Sequence, residues 1–234
     1  MHSNLRYKPL YKHFQKLREN IIGNQKLLNF KKKKWVSLVK RLTLSKPYLF
    51  FNHNVRQISR NAKPLKNLYR SQLAAKQRLN FYYGKFTNSQ LKKLSRVSYI
   101  KSKLKSCKKS NSELFLNSLE TRLATVLFRS HFVPSINTAR QLITYGNVYV
   151  NNKKVYSCNF LLKSGDLIQV SKKLHPIVKN NILKSKMWPL LPLHLDVNFK
   201  ILSIYFVNNV DILSLSGHFS FWVNVKNIVS FYKK

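Results

Sequence analysis

Apolar residues recur at helical spacing through the first two thirds of this chain and give way to alternation beyond residue 147, so helices are expected first and a small sheet after them. Tyr11, Phe14, Leu17 and Ile21 would line one side of a short helix. From Lys40 to Lys63 no period is visible, which suits an extended connection that orders on its partner. Pro64, tolerated in a first turn, opens a longer helix with the stripe Leu65, Leu68, Tyr69, Leu73, Leu79 and Tyr83, and Gly84 stops it. Ser89 is placed to cap a second helix through Leu91, Leu94 and Val97, leaving Lys92, Lys93 and Arg96 outside.

The stretch from Phe115 to Val170 is the most fully patterned. Asn111 or Ser112 is the expected N-cap of its first helix, with Glu113 in the turn where the helix dipole favours an acid. Leu116, Leu119, Leu123, Val126 and Leu127 form one buried stripe, and Arg122 and Arg129, seven apart, share a face from which both can reach a phosphate backbone. After Pro134, Ser135 or Asn137 caps a helix from Thr138 to Tyr145 with Ala139, Leu142 and Ile143 inward and Arg140, Gln141 and Thr144 outward. Gly146 is its C-terminal cap. A hairpin then turns at Asn151-Asn152, because Asn tolerates positive φ, and Lys153 and Lys154 project from its tip. Ser164-Gly165-Asp166 feeds a last strand, Leu167 to Val170.

Beyond this module, Lys172 to Lys186 suits a basic helix or a linker, and Pro189 and Pro192 interrupt the chain. Alternation in HLDVNFKILSIYFV and in FSFWVNV predicts strands. The tail is too apolar to float free and packs most economically onto the helices of residues 64 to 100. The expected fold is α+β: an arm (1–63), the first half of a helical body (64–111), an inserted module of two helices and a short sheet (112–172), and a C-terminal segment that returns to the body (173–234).

Charge changes the picture most. The 234 residues hold 44 Lys plus Arg against 6 Asp plus Glu, a formal +38. Self-repulsion on that scale calls for a polyanion. Residues 1–111 carry 29 basic side chains and one acid, Glu19, whereas residues 112–172 carry 7 and 3, so the N-terminal half is the main electrostatic footprint. Lys31, Lys32, Lys33 and Lys34 followed by Trp35 suit a phosphate groove with a base or ribose against the indole; Trp35 serves a core equally well. Cys107 and Cys158 make no disulfide framework or zinc spacing, and the seven histidines are scattered, so neither metal nor cofactor is expected. Lys200, Asn208, Asn209, Asp211 and His218 interrupt the apolar tail, which argues against a membrane span. The first twenty residues are basic like a transit presequence but poor in Ser and Ala, and suit an RNA-binding arm equally. Abundant Lys (33) and Asn (24) beside 5 Ala and 5 Gly match AT-rich codons, as in an organelle's own genome.

The motifs LETRL (Leu119 to Leu123), FRSHF (Phe128 to Phe132), ARQLITYGNVYVN (Ala139 to Asn151) and SGD (Ser164 to Asp166) resemble family four of the universal small-subunit ribosomal proteins. Weaker echoes occur in RYKP (Arg6 to Pro9), LRE (Leu17 to Glu19), the helix after Pro64 and HLDVN (His194 to Asn198), in the family's order. The chain departs from the family with Ala124 for Asp, His131 for Gly, Ile136 near a usual Arg and Asn152 for Gly. It also lacks the N-terminal Cys cluster of many bacterial members, so zinc is not carried over.

The resemblance implies a structural protein, not an enzyme, that binds the 5′ domain of small-subunit rRNA early in assembly. Its neighbours would be ribosomal protein families three and five and, close by, the mRNA entry channel, with no membrane and no homo-oligomer. A mitochondrion is the expected compartment, a plastid the runner-up. By matching position Arg122, Arg129, Ser135, Arg140, Gln141, Tyr145, Asn147 and Lys153 are placed at rRNA, joined by Lys154, the Lys31 to Lys34 cluster and Arg6 and Lys8 of the arm. A salt bridge to Glu120 competes for Arg140, and core packing is the stronger alternative for Tyr145 and Tyr149. A free-standing RNA-binding or assembly factor is the alternative function. A pseudouridine synthase is disfavoured because only Asp196 and Asp211 supply acids after the module.

Overall fold

The computed structural model describes residues 64–104, 109–185, 190–207, 218–219 and 225–232, together with Leu17, Ile21, Lys33, Lys34, Val36, Ser37 and Lys40. Arg6, Lys8, Lys31, Lys32, Trp35, Cys107 and the connection up to residue 63 beyond Lys40 lie outside the described residues.

Seven α-helices and five strands follow one another among the described residues. Their order is α1 (Pro64–Tyr82), α2 (Asn88–Lys103), α3 (Asn111–Glu120), α4 (Leu123–Arg129), α5 (Ile136–Thr144), β1 (Val148–Val150), β2 (Lys153–Lys154) and β3 (Leu167–Val170). A short 3₁₀ turn (Lys172–Leu174), α6 (His175–Ser185), β4 (Leu195–Asn198), β5 (Ser203–Phe206) and α7 (Val225–Phe231) complete the series. The α+β class expected from the sequence is what the chain adopts.

The caps sit one or two residues before the expected ones. Thr87 rather than Ser89 caps α2 and Ser110 rather than Asn111 caps α3, because each then has a partner three residues on, Gln90 or Glu113, to close a capping box. Ser135 caps α5 as expected, with Thr138 as the reciprocal partner. Val97 is exposed; α2 buries Leu91, Ser95 and Ser98 instead.

The single helix expected over Leu116 to Arg129 is two helices. Arg122 is extended (φ −75°, ψ 135°) and forms an isolated bridge with Leu161. Leu123 N–H donates to Phe160 O at 3.1 Å and Leu162 N–H to Thr121 O at 2.9 Å, so two strand-like hydrogen bonds replace a helical turn there. The break separates Arg122 from Arg129, and the common face expected for them does not form.

All strand pairs are antiparallel in the order β2-β1-β3-β5-β4. Val150, Ile168, Ile204 and Val197 form one cross-strand row on the core face. The first β-turn is Asn151 (φ 49°) and Asn152 (φ 65°), both left-handed as a two-residue hairpin loop requires. His131, standing where the resemblance has Gly, is also left-handed at φ 63°.

The tail divides between two partners. Its hairpin β4–β5 continues the module's sheet, with Leu167, Ile168 and Gln169 of β3 facing Tyr205, Ile204 and Ser203 of β5. Gly165 N–H donates to Phe206 O at 2.8 Å and Phe206 N–H to Asp166 O at 3.1 Å, which tie the hairpin to the Ser164-Gly165-Asp166 turn. Its last helix does return to the body: Gln72 Nε2 donates to Ser230 Oγ at 2.9 Å, Tyr69 meets Phe231, and Lys76 Nζ lies 4.5 Å from the Phe231 ring centroid. Val225, expected at the end of a strand, begins that helix; residues 220–224 of FSFWVNV lie outside the described residues.

The helices and the tail meet on a buried ion pair. Glu120 at the end of α3 accepts from Arg129 at the end of α4, Nη2 to Oε1 at 2.6 Å and Nε to Oε2 at 3.2 Å, and both side chains are at most 1 % exposed. Tyr83, just past α1, donates its hydroxyl to Glu120, and Arg129 Nη1 donates to His218 O at 2.7 Å. The guanidinium lies between Tyr82 and Phe219, 5.0 and 4.6 Å from their centroids. Burial opposes ionisation of Glu120, but Arg129 beside it outweighs this and holds the carboxyl below its ordinary value. Arg129, expected at rRNA, is therefore a core residue; the salt bridge imagined between Glu120 and Arg140 is made by Arg129 instead.

Two predictions concern this core. Arg129→Met strands a buried carboxylate and should cost about 3–5 kcal/mol in urea unfolding, while the Glu120→Gln/Arg129→Met pair should be clearly less damaging than Arg129→Met alone. His194, packed near the pair and against Phe206, is pushed down to about 4 from 6.5, mainly by burial. A group whose folded pKa is depressed gives stability that is complete above the unfolded pKa and is lost as pH falls through the folded one. The chain should therefore lose up to about 3 kcal/mol between pH 6.5 and 4 from this group. His194→Gln should flatten that window in stability measured against pH.

Candidate nucleic-acid interface

From Thr121 to Gly165 the sequence holds no acid and six basic residues, of which Arg129 is consumed by the core. The remaining cations lie on the strand-helix module that begins at the Arg122 break.

Arg122 and Arg140 converge on one ring. Phe86, in the loop between α1 and α2, is buried, and the Arg122 and Arg140 guanidinium carbons lie 4.5 and 5.7 Å from its centroid. Arg122 Nη1 donates to Asn159 Oδ1 at 3.1 Å. Arg140 Nη1 donates to Gly84 O at 2.7 Å and Nη2 to Tyr83 O at 3.3 Å, closing the carbonyl end of α1. Gly84 (φ +84°) permits this approach: a Cβ there would stand 3.0 Å from Ile136 Cγ2 and 3.1 Å from Arg140 Cζ.

Both arginines are half-buried, and their hydrogen bonds go to an amide oxygen and two backbone carbonyls rather than to a carboxylate. Burial, and then the like charge of Arg140, pull the Arg122 pKa down; burial does the same for Arg140. Two guanidiniums held against one ring without a carboxylate between them form a locus whose repulsion an incoming anion relieves.

The other expected positions separate into groups. Lys33 and Lys34 are helical and exposed. Lys153 and Lys154 are exposed on β2, Lys154 Nζ 6.0 Å from the Tyr149 centroid. Gln141 and Tyr145 lie on the outer end of α5 and its cap, exposed, with Gln141 Nε2 3.4 Å from the Tyr145 hydroxyl. At 68 % exposure Tyr145 is not in the core, where packing had seemed its stronger role; Tyr149 is half-buried. Asn147 is half-buried. Ser135 is half-buried and its hydroxyl receives Thr138 N–H at 3.3 Å, so its oxygen is engaged in the α5 cap.

Phe86 and Asn159 were not singled out from the sequence. Phe86 follows a helix-stopping Gly, where an aromatic carries no periodic signal, and Asn159 reaches Arg122 across 37 residues. Among the described residues no group of three or more His, Cys, Asp or Glu could hold a metal ion, and no described helix is long and apolar enough to cross a membrane.

Comparison with known proteins matches the same segment. Residues 121–168 match the model of the S4 domain. The small ribosomal subunit protein uS4 of Rickettsia prowazekii (strain Madrid E) is 34 % identical over 118 residues, 50 % of this chain and 55 % of that protein. The uS4 of Rickettsia massiliae (strain Mtu5) is 35 % identical over the same shares. The chain thus spans about half the length of the curated relatives it matches. Residues 121–168 are thus similar to the S4 domain, and over half its length the chain is similar to the small ribosomal subunit protein uS4 of Rickettsia.

Proposed function

We propose that this chain is a non-catalytic structural constituent of the small ribosomal subunit of a mitochondrion, present once per subunit and bound to small-subunit rRNA. The observation that carries the reading is the coincidence of the S4 domain, in a homologue of uS4, with the segment that has cations and no acids facing outward. The mitochondrial assignment draws on the Lys- and Asn-rich composition and on relatives in Rickettsia, of the lineage ancestral to mitochondria. The finer placement, at the 5′ domain of the rRNA beside families three and five and near the mRNA entry channel, belongs to the same proposal. So does the division of the chain into an arm (1–63), the first half of a helical body (64–111), a module (112–172) and a C-terminal segment (173–234) that returns to the body through its last helix.

On this reading Arg122 and Arg140 receive phosphate oxygens, while Lys153, Lys154 and Gln141 contact backbone or base edges. Arg140 also holds the carbonyls of Tyr83 and Gly84, so its site and its fold are coupled. The arm adds Lys33 and Lys34, exposed on a helix, and with Arg6, Lys8, Lys31 and Lys32 it supplies most of the non-specific attraction.

The direct experiment is sedimentation of the tagged protein through a sucrose gradient of mitochondrial lysate. It should travel with mature small subunits; presence only in precursors would make it an assembly factor, and absence from both would overturn the proposal. With purified protein and transcribed small-subunit rRNA, deletion of residues 1–62 should weaken binding. It should also flatten the salt dependence, by about 0.9 in the slope of log K against log salt for each lost duplex contact and about 0.7 for each single-strand contact. Arg122→Ala should lower affinity and slope with little change in stability, since it leaves no carboxylate unpaired. Arg140→Ala should in addition lower stability by about 1–3 kcal/mol, read by thermal unfolding, as two carbonyls lose their donor.

A further inference from the structure

We infer that Tyr156 is a pre-positioned stacking platform for an unpaired nucleobase, with the exposed ring of Tyr145 beside its support. The inference rests on the rRNA-binding reading above and names the ligand class of one part of that surface.

Tyr156 follows the β1–β2 hairpin and is 60 % exposed. Its ring rests on Gly146: a Cβ on that glycine would stand 2.5 Å from Tyr156 Cε1, 3.1 Å from Cζ and 3.2 Å from Oη. No other residue type admits the contact, and Gly146 is held in place at φ +68° by its N–H donating to Ile143 O at 2.9 Å. The chain around Tyr156 is pinned as well. Val155 N–H donates to Val148 O at 3.1 Å, and Cys158 Sγ donates to Arg140 O at 3.4 Å. An exposed ring with both its backbone and its resting surface fixed loses little conformational freedom when a second ring stacks on it.

The surroundings select the partner. Tyr145, immediately before the supporting glycine, is exposed, and Lys153 and Lys154 lie three and two residues before Tyr156. The nearest acid in sequence, Asp166, has its carboxylate engaged by Asn151 Nδ2 at 2.9 Å and Lys163 N–H at 2.7 Å. An exposed aromatic ring that two exposed lysines precede by three and two residues suits a base on a phosphate backbone rather than an apolar peptide.

The test compares the full-length protein with Tyr156→Ala and Tyr156→Phe in binding to transcribed small-subunit rRNA at several salt concentrations. Tyr156→Ala should weaken binding roughly 5- to 100-fold with an unchanged salt slope, because stacking involves no counterion release, and Tyr156→Phe should stay within about twofold. Ultraviolet irradiation of the wild-type complex should leave a nucleotide adduct on the Tyr156 peptide. Wild-type affinity in Tyr156→Ala would overturn the inference while leaving the rRNA-binding reading intact, including where the same variant impairs docking of a ribosomal protein. Failure of the wild-type protein to bind the rRNA would overturn both.

Discussion

A buried charge must be neutralised where it lies, and in this chain that requirement fixes how distant segments come together. Glu120 and Arg129 are both out of water, so each is tolerable only while the other is present. The pair makes two further hydrogen bonds: Tyr83, just past the first helix, donates to the carboxylate, and the guanidinium donates to the carbonyl of His218 in the tail. Four stretches of sequence, spread from residue 83 to residue 218, are thereby held to a single geometry. An apolar cluster of equal volume would hold them together with less angular definition, since dispersion is non-directional and a two-pronged guanidinium–carboxylate bond is not.

That geometry is what sets out the rest of the segment that matches the S4 domain. The helix must break at Arg122 for α4 to deliver Arg129 inward, and the break leaves Arg122 extended against Leu161 with its guanidinium on Phe86. Arg140 reaches the same ring from α5 by closing the carbonyl end of α1. The tail stabilises the other side of the domain by adding two strands to its sheet. The three short strands β2, β1 and β3 would present an open edge beyond β3; β5 covers that edge, and four cross-strand residues form the row that buries it.

Local patterns were legible in the sequence and long-range pairings were not. The helix ends at Gly84 and Gly146, the Asn-Asn turn and the strands around residues 150, 168, 196 and 204 follow from backbone chemistry over a few residues, and the structure has them. The periodic stripe from Leu116 to Leu127 gave no sign of the break at Arg122, because two hydrogen bonds to Phe160 and Leu162 decide it from nearly forty residues away. Arg129 could not be told from a surface arginine: spacing locates a face of a helix, but not the carboxylate that turns that face inward. Tyr156 left no mark in sequence, since its significance lies in a glycine ten residues earlier whose missing Cβ it occupies.

The acids of the module are all engaged in bonds within the fold. Residues 112–172 hold three, and each is used inside the fold: Glu113 closes the capping box of α3, Glu120 neutralises Arg129, and Asp166 ties the turn before β3 to Asn151 and Lys163. The buried pair removes one cation and one anion together and leaves the net charge as it was, while the other two carboxylates are partly screened by N–H groups at their own turns. Between Thr121 and Gly165, Lys153, Lys154 and Lys163 are exposed and Arg122 and Arg140 are half-buried, with no carboxylate of that segment among them. The surface is made cationic less by adding lysine than by assigning every acid an internal task, a distribution that keeps the module compact while leaving its lysines exposed.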